Sequence, residues 1–234
     1  MPAALGVAPA MARFPDAPAR ARATAPCEAN PADSLRSTAA ASQLVIVVAQ
    51  SASSTTATAT LWQRTNRCFF HSGGPWPARL GRNGLSSHHL EGDGTTPIGA
   101  FGIGPVMYGV APDPGVAYRY HQLTCGDWWD EDPTTPSYNR FVHVPCGTRP
   151  PFSGGSEALW TEVTAYRYFA VIEYNTSPIV SGRGSAIFLH ASTGGTTNGC
   201  VSLSEPELVQ TLRWLLPARH PLVVIDTTAA LHNL

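Results

Sequence analysis

Between Ser185 and Leu203 the chain reads SAIFLHASTGGTTNGCVSL, and this stretch restricts the fold more than any other. Ala186 to Leu189 form a continuous apolar run, the pattern of a strand buried on both faces. The run ends on His190. A loop of small and polar residues follows, Ala191 to Gly199, with glycines at 194, 195 and 199. It closes on Cys200 and the short apolar run Val201-Ser202-Leu203. Ser204 and Glu207 then have the spacing of a capping box, in which each side chain satisfies a free backbone N–H at a helix start. With Gly and Pro abundant, at 21 each, and together with Thr and Ser, the composition favours a strand-and-loop protein over a helical bundle.

The rest of the chain agrees. Gln43 to Ala49 reads as a buried strand, and Thr55 to Gln63 alternates Thr with Ala or Leu at the period of a half-buried strand. With a turn at Thr65-Asn66 and a third strand from Arg67 to His71, these predict an antiparallel meander. Residues 72–118 are punctuated by Gly and Pro and read as loop-rich, apart from a short strand at Ala100 to Ile103. Further strands are expected at Phe141 to Val144, Tyr168 to Tyr174 and Leu222 to Ile225, and one helical turn at Ser156 to Trp160. The helix from Glu205 to Leu216 should bury Leu208, Val209, Leu212, Leu215 and Leu216 and stop at Pro217. The expected fold is mainly β, a sandwich or a curled mixed sheet with a few short helices. Residues 1–26 are rich in Ala, Pro and Arg and are expected to be disordered. Asn30-Pro31 starts a helical lead-in over 27–42, and one domain fills 43–234.

Charge excludes some partners. Charged residues make up 13% of the chain and the net charge is −1, which gives no basis for nucleic-acid binding. No run of 18 apolar residues spans a membrane. Residues 3–12 are mildly apolar, but no basic residue precedes them and Pro9 interrupts them, so they do not read as a secretory signal. Eight histidines include the adjacent His88 and His89, yet no ligand spacing of the H-E-x-x-H type occurs, and neither a metal nor another cofactor is expected.

Cysteine and histidine carry the chemistry. A thiol becomes a strong nucleophile as its thiolate, and an imidazole can take its proton. Ten positions separate His190 from Cys200, short enough for a folded loop to bring the side chains together. Gly199 leaves backbone N–H groups open to an incoming carbonyl, so the amides of Gly199 and Cys200 are candidate oxyanion donors. The competing reading makes His190 a hydrogen-bonded strand end and Cys200 a buried small residue or half of a disulfide. His143 is the alternative base. Five cysteines, at 27, 68, 125, 146 and 200, fit two disulfides plus one free thiol in an oxidising compartment, or five thiols in a reducing one.

His190 followed by Thr197-Asn198-Gly199-Cys200 resembles the signature of the L,D-transpeptidase (YkuD) family: a strand ending in His, a glycine-bearing loop, then [ST]-x-G-C. Glu91 to Phe101, EGDGTTPIGAF, resembles the family's upstream T-P-x-G-x-F segment, and the likeness extends over residues 43–226. Two positions depart from it. Many members have His immediately before Gly-Cys, where this chain has Asn198, and Arg or Asn two residues after the Cys, where it has Ser202. The resemblance implies a cysteine acyltransferase acting on peptidoglycan stem peptides, with Cys200 as nucleophile, His190 as base, and a backbone carbonyl near Ala191 orienting the imidazole. Asn198 is a supporting residue. An extracytoplasmic monomer is expected, with no metal. With Cys200 reserved for chemistry, Cys125 and Cys146, which bracket the segment between them and could staple it, are the first expected disulfide, and Cys27 with Cys68 is the second. Alternatives of other classes are a non-catalytic wall-binding module and a thiol amidohydrolase of other substrates.

Substrate contacts are less defined. Tyr118 to Pro151 gathers aromatic and acidic residues that can form a cleft for sugars or peptide amines or fold as a loop onto the sheet, with Tyr138 and Trp128 as candidates. Arg183, in the connection before the catalytic stretch, is another. Glu91 and Asp93 read either as holders of a substrate amine or as solvated carboxylates of a turn.

Overall fold

In the computed structural model, residues 27–35, 38, 40–153 and 155–234 are described. The expected extension over 1–26 lies outside them, as do residues 36, 37 and 39 of the expected lead-in. Within that lead-in Pro31 to Ser34 form a turn, and the Asp33 N–H donates to Asn30 Oδ1 at 2.9 Å.

The chain is mainly β. Its strands are β1 (Gln43–Ala49), β2 (Thr56–Thr65), β3 (Cys68–Arg79), β4 (Leu85–Ser86), β5 (Thr96–Pro97), β6 (Gly99–Gly109) and β7 (Arg119–Gln122). β8 (Asp127–Asp130), β9 (Arg140–His143), β10 (Glu157–Ala158), β11 (Phe169–Ile172), β12 (Phe188–Ala191), β13 (Val201–Leu203) and β14 (Leu222–Thr227) follow, with one α-helix, α1 (Glu205–Trp214), between the last two. Nine strands form a mixed sheet in the order β11-β12-β13-β3-β2-β1-β14-β6-β7. β11 also pairs with β6, so the sheet curls round and closes on itself. A three-stranded sheet, β10-β8-β9, and the pair β4-β5 stand apart from it.

The apolar run of β1 explains its central place. It pairs antiparallel with β2 and parallel with β14, and alternate residues enter different cores. Val45, Val47 and Ala49 pack with Leu61, Leu80, Leu189, Val201, Leu203, Val223 and Ile225. Leu44 and Ile46 pack on the opposite side with Ala32, Leu35, Phe69, Val224 and Leu231. A third cluster is aromatic: Phe169 lies against Phe188 with ring centroids 4.6 Å apart, and Trp129 meets Phe188 edge-on at 5.0 Å. Cys200 belongs to this third cluster.

The meander β1-β2-β3 is antiparallel, but two strands extend well beyond their predicted ends. β3 runs on through Gly73, Gly74, Pro75 and Pro77 to Arg79, and β6 runs to Gly109. Gly and Pro mark turns in most contexts, yet both are tolerated where a strand is bulged or lies at an edge. β3 is such a strand: its register against β2 shifts twice near Leu61, and it meets β13 only at Arg79. The turn expected at Ser156 to Trp160 is instead β10 followed by a 3-10 turn at Leu159–Thr161. Helix α1 carries the capping box of Ser204 and Glu207. It ends at Trp214, because proline disfavours helical backbone in the residue before it and Leu215 and Leu216 are already extended ahead of Pro217. Val209 is therefore only half-buried and Leu216 is exposed.

Candidate active site

Strands β12 and β13 run parallel and adjacent, with His190 opposite Ser202 in the register. Cys200 immediately precedes β13. The loop between the strands is stitched to the chain at 80–82: Thr197 N–H donates to Leu80 O (2.9 Å) and Arg82 N–H to Thr197 O (2.8 Å). The Thr197 hydroxyl then donates to Cys200 O at 2.7 Å and accepts the Gly199 N–H at 3.2 Å. Gly199 has φ +151°, and a Cβ there would stand 3.0 Å from Thr95 O, so the bend before Cys200 requires glycine.

The apolar run entering β12 bends where a continuous strand was predicted. Ala186 has φ 51°, and Asn139 and Cys200 supply the partners that a sheet neighbour would have supplied. The Ala186 N–H donates to Asn139 Oδ1 at 3.1 Å, and Ala186 O accepts from the Cys200 thiol at 3.2 Å. The sulfur in turn accepts the Phe188 N–H at 3.3 Å. Both hydrogen bonds of the buried thiol are thus to backbone groups. Burial pushes it well above the usual thiol range, and the nearby Glu157 carboxylate pushes further in the same direction.

His190 is buried as well. Its Nδ1 lies 2.8 Å from Ala191 O, which can only accept, so the proton is on Nδ1 and the lone pair on Nε2. Burial lowers its pKa to about 4, against the raising effect of that carbonyl. The Tyr166 ring stands edge-on to the imidazole at 5.7 Å. His190, Tyr166, Thr197, Cys200 and Ser202 line one small cavity of ≈ 160 Å³. Cys200 also lies on the wall of a larger one, ≈ 390 Å³, with Arg82 and Asn198 on one side and Glu91, Glu131 and Glu157 among its other lining residues.

These carboxylates are held unusually. Tyr166 Oη donates to Glu157 Oε2, and Glu131 Oε1 is buried with no hydrogen-bond partner among the described residues. Burial, with the charge of Glu157 next, pushes Glu131 up to about 9, and burial pushes Glu157 up to about 7. Glu91 accepts from Tyr138 Oη and, at 2.7 Å, from Ser185 Oγ. Asp93 is spent on its own turn, accepting from the N–H groups of Leu90 and Thr95.

Several expected residues stand elsewhere. Of the two expected oxyanion donors, Gly199 N–H is occupied by Thr197, because that hydroxyl lies within the same tight turn. Asn198 accepts from Arg82 Nη1. Trp128 turns away from both cavities, since neighbours on β8 point to opposite faces: it packs on Phe152 and Trp160, while Trp129 faces the cluster of Cys200. Arg183 is exposed and interacts with the Tyr174 hydroxyl, and Tyr138 does not line the larger cavity but is bonded to Glu91, which does. His143 is bound to Asp127 Oδ1 at 2.7 Å on the separate small sheet, with His121 on the other oxygen, and lines neither cavity. His89 is buried beside Asp93, His88 is exposed, and among the described residues no group of three or more His, Cys, Asp or Glu is placed to hold a metal. Disulfides join Cys27 to Cys68 and Cys125 to Cys146, and Cys200 is free.

The sequence reading passed over Arg82, Glu157 and Tyr166, which carry no local signal. Glu131 entered it as one of the carboxylates of the acidic and aromatic segment.

The family model for YkuD, the L,D-transpeptidase catalytic domain, matches residues 54–225. No curated protein and no solved structure matches the chain.

Proposed function

From the premise that this chain belongs to the L,D-transpeptidase catalytic domain (YkuD) family, we propose that it is a cysteine acyltransferase of peptidoglycan stem peptides. The observation that carries this reading is the shared cavity of His190 and Cys200, with Nδ1 of His190 fixed on Ala191 O so that the basic nitrogen is left free.

In the resting state both groups are neutral. A rotation of the Cys200 side chain releases its hydrogen from Ala186 O. Nε2 of His190 takes the thiol proton as sulfur attacks the carbonyl of an L-centre residue, one that bears a terminal D-residue. The C–N bond breaks, the imidazolium returns the proton to the leaving amine, and a thioester remains. An amine of a second stem then attacks the thioester, giving up its proton through His190 and returning the thiol; water in its place releases the shortened peptide. A base is required here because the buried thiol does not ionise alone. The tetrahedral oxyanion needs donors, and the turn at Gly199 and Cys200 is their place once the substrate competes for the N–H that Thr197 holds. Glu91 on the wall of the larger cavity offers a carboxylate to an incoming ammonium group, whereas Glu131 and Glu157, pushed up by burial, are wholly or partly protonated near neutral pH. Two disulfides and a wall substrate agree with an extracytoplasmic protein.

A second reading, a wall-binding module without turnover, is favoured by the thiol's engagement with backbone groups on both sides. Acylation by a carbapenem separates the two. The expected result is one adduct per chain, located on Cys200 by mass spectrometry and absent from C200A, with H190Q slowing its formation roughly a hundredfold, a common cost of losing a general base. An adduct that persists in C200A removes Cys200 from this role.

A further inference from the structure

Arg82 is exposed at the mouth of the larger cavity, but it is not a loose surface arginine. Nη1 donates to Asn198 Oδ1, and Nη2 donates to Gly92 O at 3.3 Å. Its Cζ lies 2.8 Å from where a Cβ on Gly94 would be, and Gly94 has φ +71°, so the guanidinium rests on a spot that only glycine leaves open. At its other end the Arg82 backbone N–H is bonded to Thr197 O. The cation is therefore fixed at both ends relative to the turn that carries Cys200.

Both side-chain partners are neutral acceptors. Among the described residues no carboxylate lies within ion-pair distance of Arg82. A guanidinium has five N–H donors, so roughly three stay free for a ligand. Guanidinium groups suit carboxylates, which they bind through two parallel hydrogen bonds. Elsewhere the cavity wall carries the acids Glu91, Glu131, Asp132 and Glu157 and the imidazole of His89, whose pKa burial lowers, so Arg82 is the lining cation that an anionic group would meet. In a peptide ending in a D-residue, the terminal carboxylate is two bonds beyond the leaving nitrogen. Asn198, which seats Arg82, is two residues before the sulfur that attacks. An asparagine Oδ1 is an acceptor at every pH, which a protonated imidazole at this position would not be.

We propose that Arg82, seated by Asn198 and Gly92 over Gly94, binds the terminal carboxylate of the departing D-residue and restricts the enzyme to peptides with a free C-terminal acid. This rests on the acyltransferase reading for the identity of the substrate.

The test compares a synthetic tetrapeptide ending in L-lysyl-D-alanine with its C-terminal amide. Binding is measured by calorimetry on C200A, which cannot turn either over. The acid should bind about 10–100-fold more tightly than the amide, the range of a charge-assisted hydrogen-bonded pair. Adding R82Q should bring the two within about threefold, and R82K should fall between, since an ammonium lacks the planar fork. N198D keeps Arg82 but gives it a carboxylate partner, and should erode the acid preference as R82Q does. A general loosening of the site would weaken both peptides alike and leave their ratio unchanged. Equal binding of acid and amide to C200A, or a preference that survives both R82Q and N198D, overturns the assignment. A preserved acid preference in a wild-type protein that processes neither peptide supports Arg82 and removes the acyltransferase reading instead.

Discussion

The Cys200 thiol donates to the carbonyl of Ala186 at 3.2 Å, and Ala186 stands at φ 51°, in the left-handed region that an alanine rarely adopts. The bend thus turns a carbonyl toward the sulfur instead of along a strand. A thiol so held, and pushed up by burial, is almost wholly protonated at neutral pH. Neutral iodoacetamide should therefore label Cys200 at least about tenfold more slowly than free cysteine at pH 7.5, because the thiolate is the reacting species. Mass spectrometry of a labelling time course gives the rate. Labelling faster than free cysteine would mean a preformed thiolate.

His190 links acidity to stability. Its value in the folded chain, about 4, lies below the ordinary histidine value of 6.5. A histidine depressed in this way contributes stability that is present above the unfolded value and lost as pH falls through the folded one. The window is therefore about pH 6.5 down to 4. The wild type should lose roughly 2–3 kcal/mol across it through this residue. H190Q should show a correspondingly smaller loss between pH 7 and pH 4 in urea unfolding.

Glu131 acts in the opposite direction. Its folded value is raised to about 9, so its contribution is complete below about pH 4.5 and is lost as pH rises through 9. E131Q removes the ionising group and keeps the shape. Each 1 kcal/mol of relief is worth roughly 2–4 °C in a protein of this size. Thermal unfolding should show E131Q gaining on the wild type by at least about that much at pH 8, with the difference shrinking toward pH 5. A variant less stable than the wild type at pH 8 would mean that the ionised carboxylate has a partner.

The Cys125–Cys146 bridge closes a segment with a sequence separation of 21 that contains β8 and β9. In the chain-entropy model such a loop is worth about 3 kcal/mol. C125S/C146S should unfold roughly 6–12 °C below the wild type. Calorimetry under oxidising conditions measures it.

What the sequence made legible was local. The apolar run of β1, the alternation of β2 and the capping box of α1 are each set by neighbours within one element. His190 was legible as the end of a buried strand, and ten positions to Cys200 are few enough for a folded loop to bring the two together, although the strand that follows Cys200 showed only as a short apolar run. Other parts depend on chain closure. Arg82 and Asn198 are 116 residues apart, and Glu91 and Tyr138 are 47 apart, brought together by the curl of the sheet. The predicted strand at Ala186 failed because a side chain from residue 139 satisfied its N–H, something no local pattern announces. The full length of β3 was hidden because its glycines and prolines carry the same letters as a turn.

β3 meets β13 only at Arg79, leaving most of one side without a strand neighbour. The first described segment covers part of that side. Asp33 Oδ1 accepts the Phe69 N–H at 3.0 Å, Asn30 Nδ2 donates to Phe69 O at 3.2 Å, and Cys27 is bonded to Cys68 beside them. Two side chains thus imitate the pairing that a visiting strand would make, and a covalent tether keeps them at their post. Farther along, Pro75 and Pro77 have no amide hydrogen to offer a visitor. Reducing the tether would leave the molecule's chemistry untouched and make it sticky, because a bare strand side is a template on which copies of the chain can coalesce.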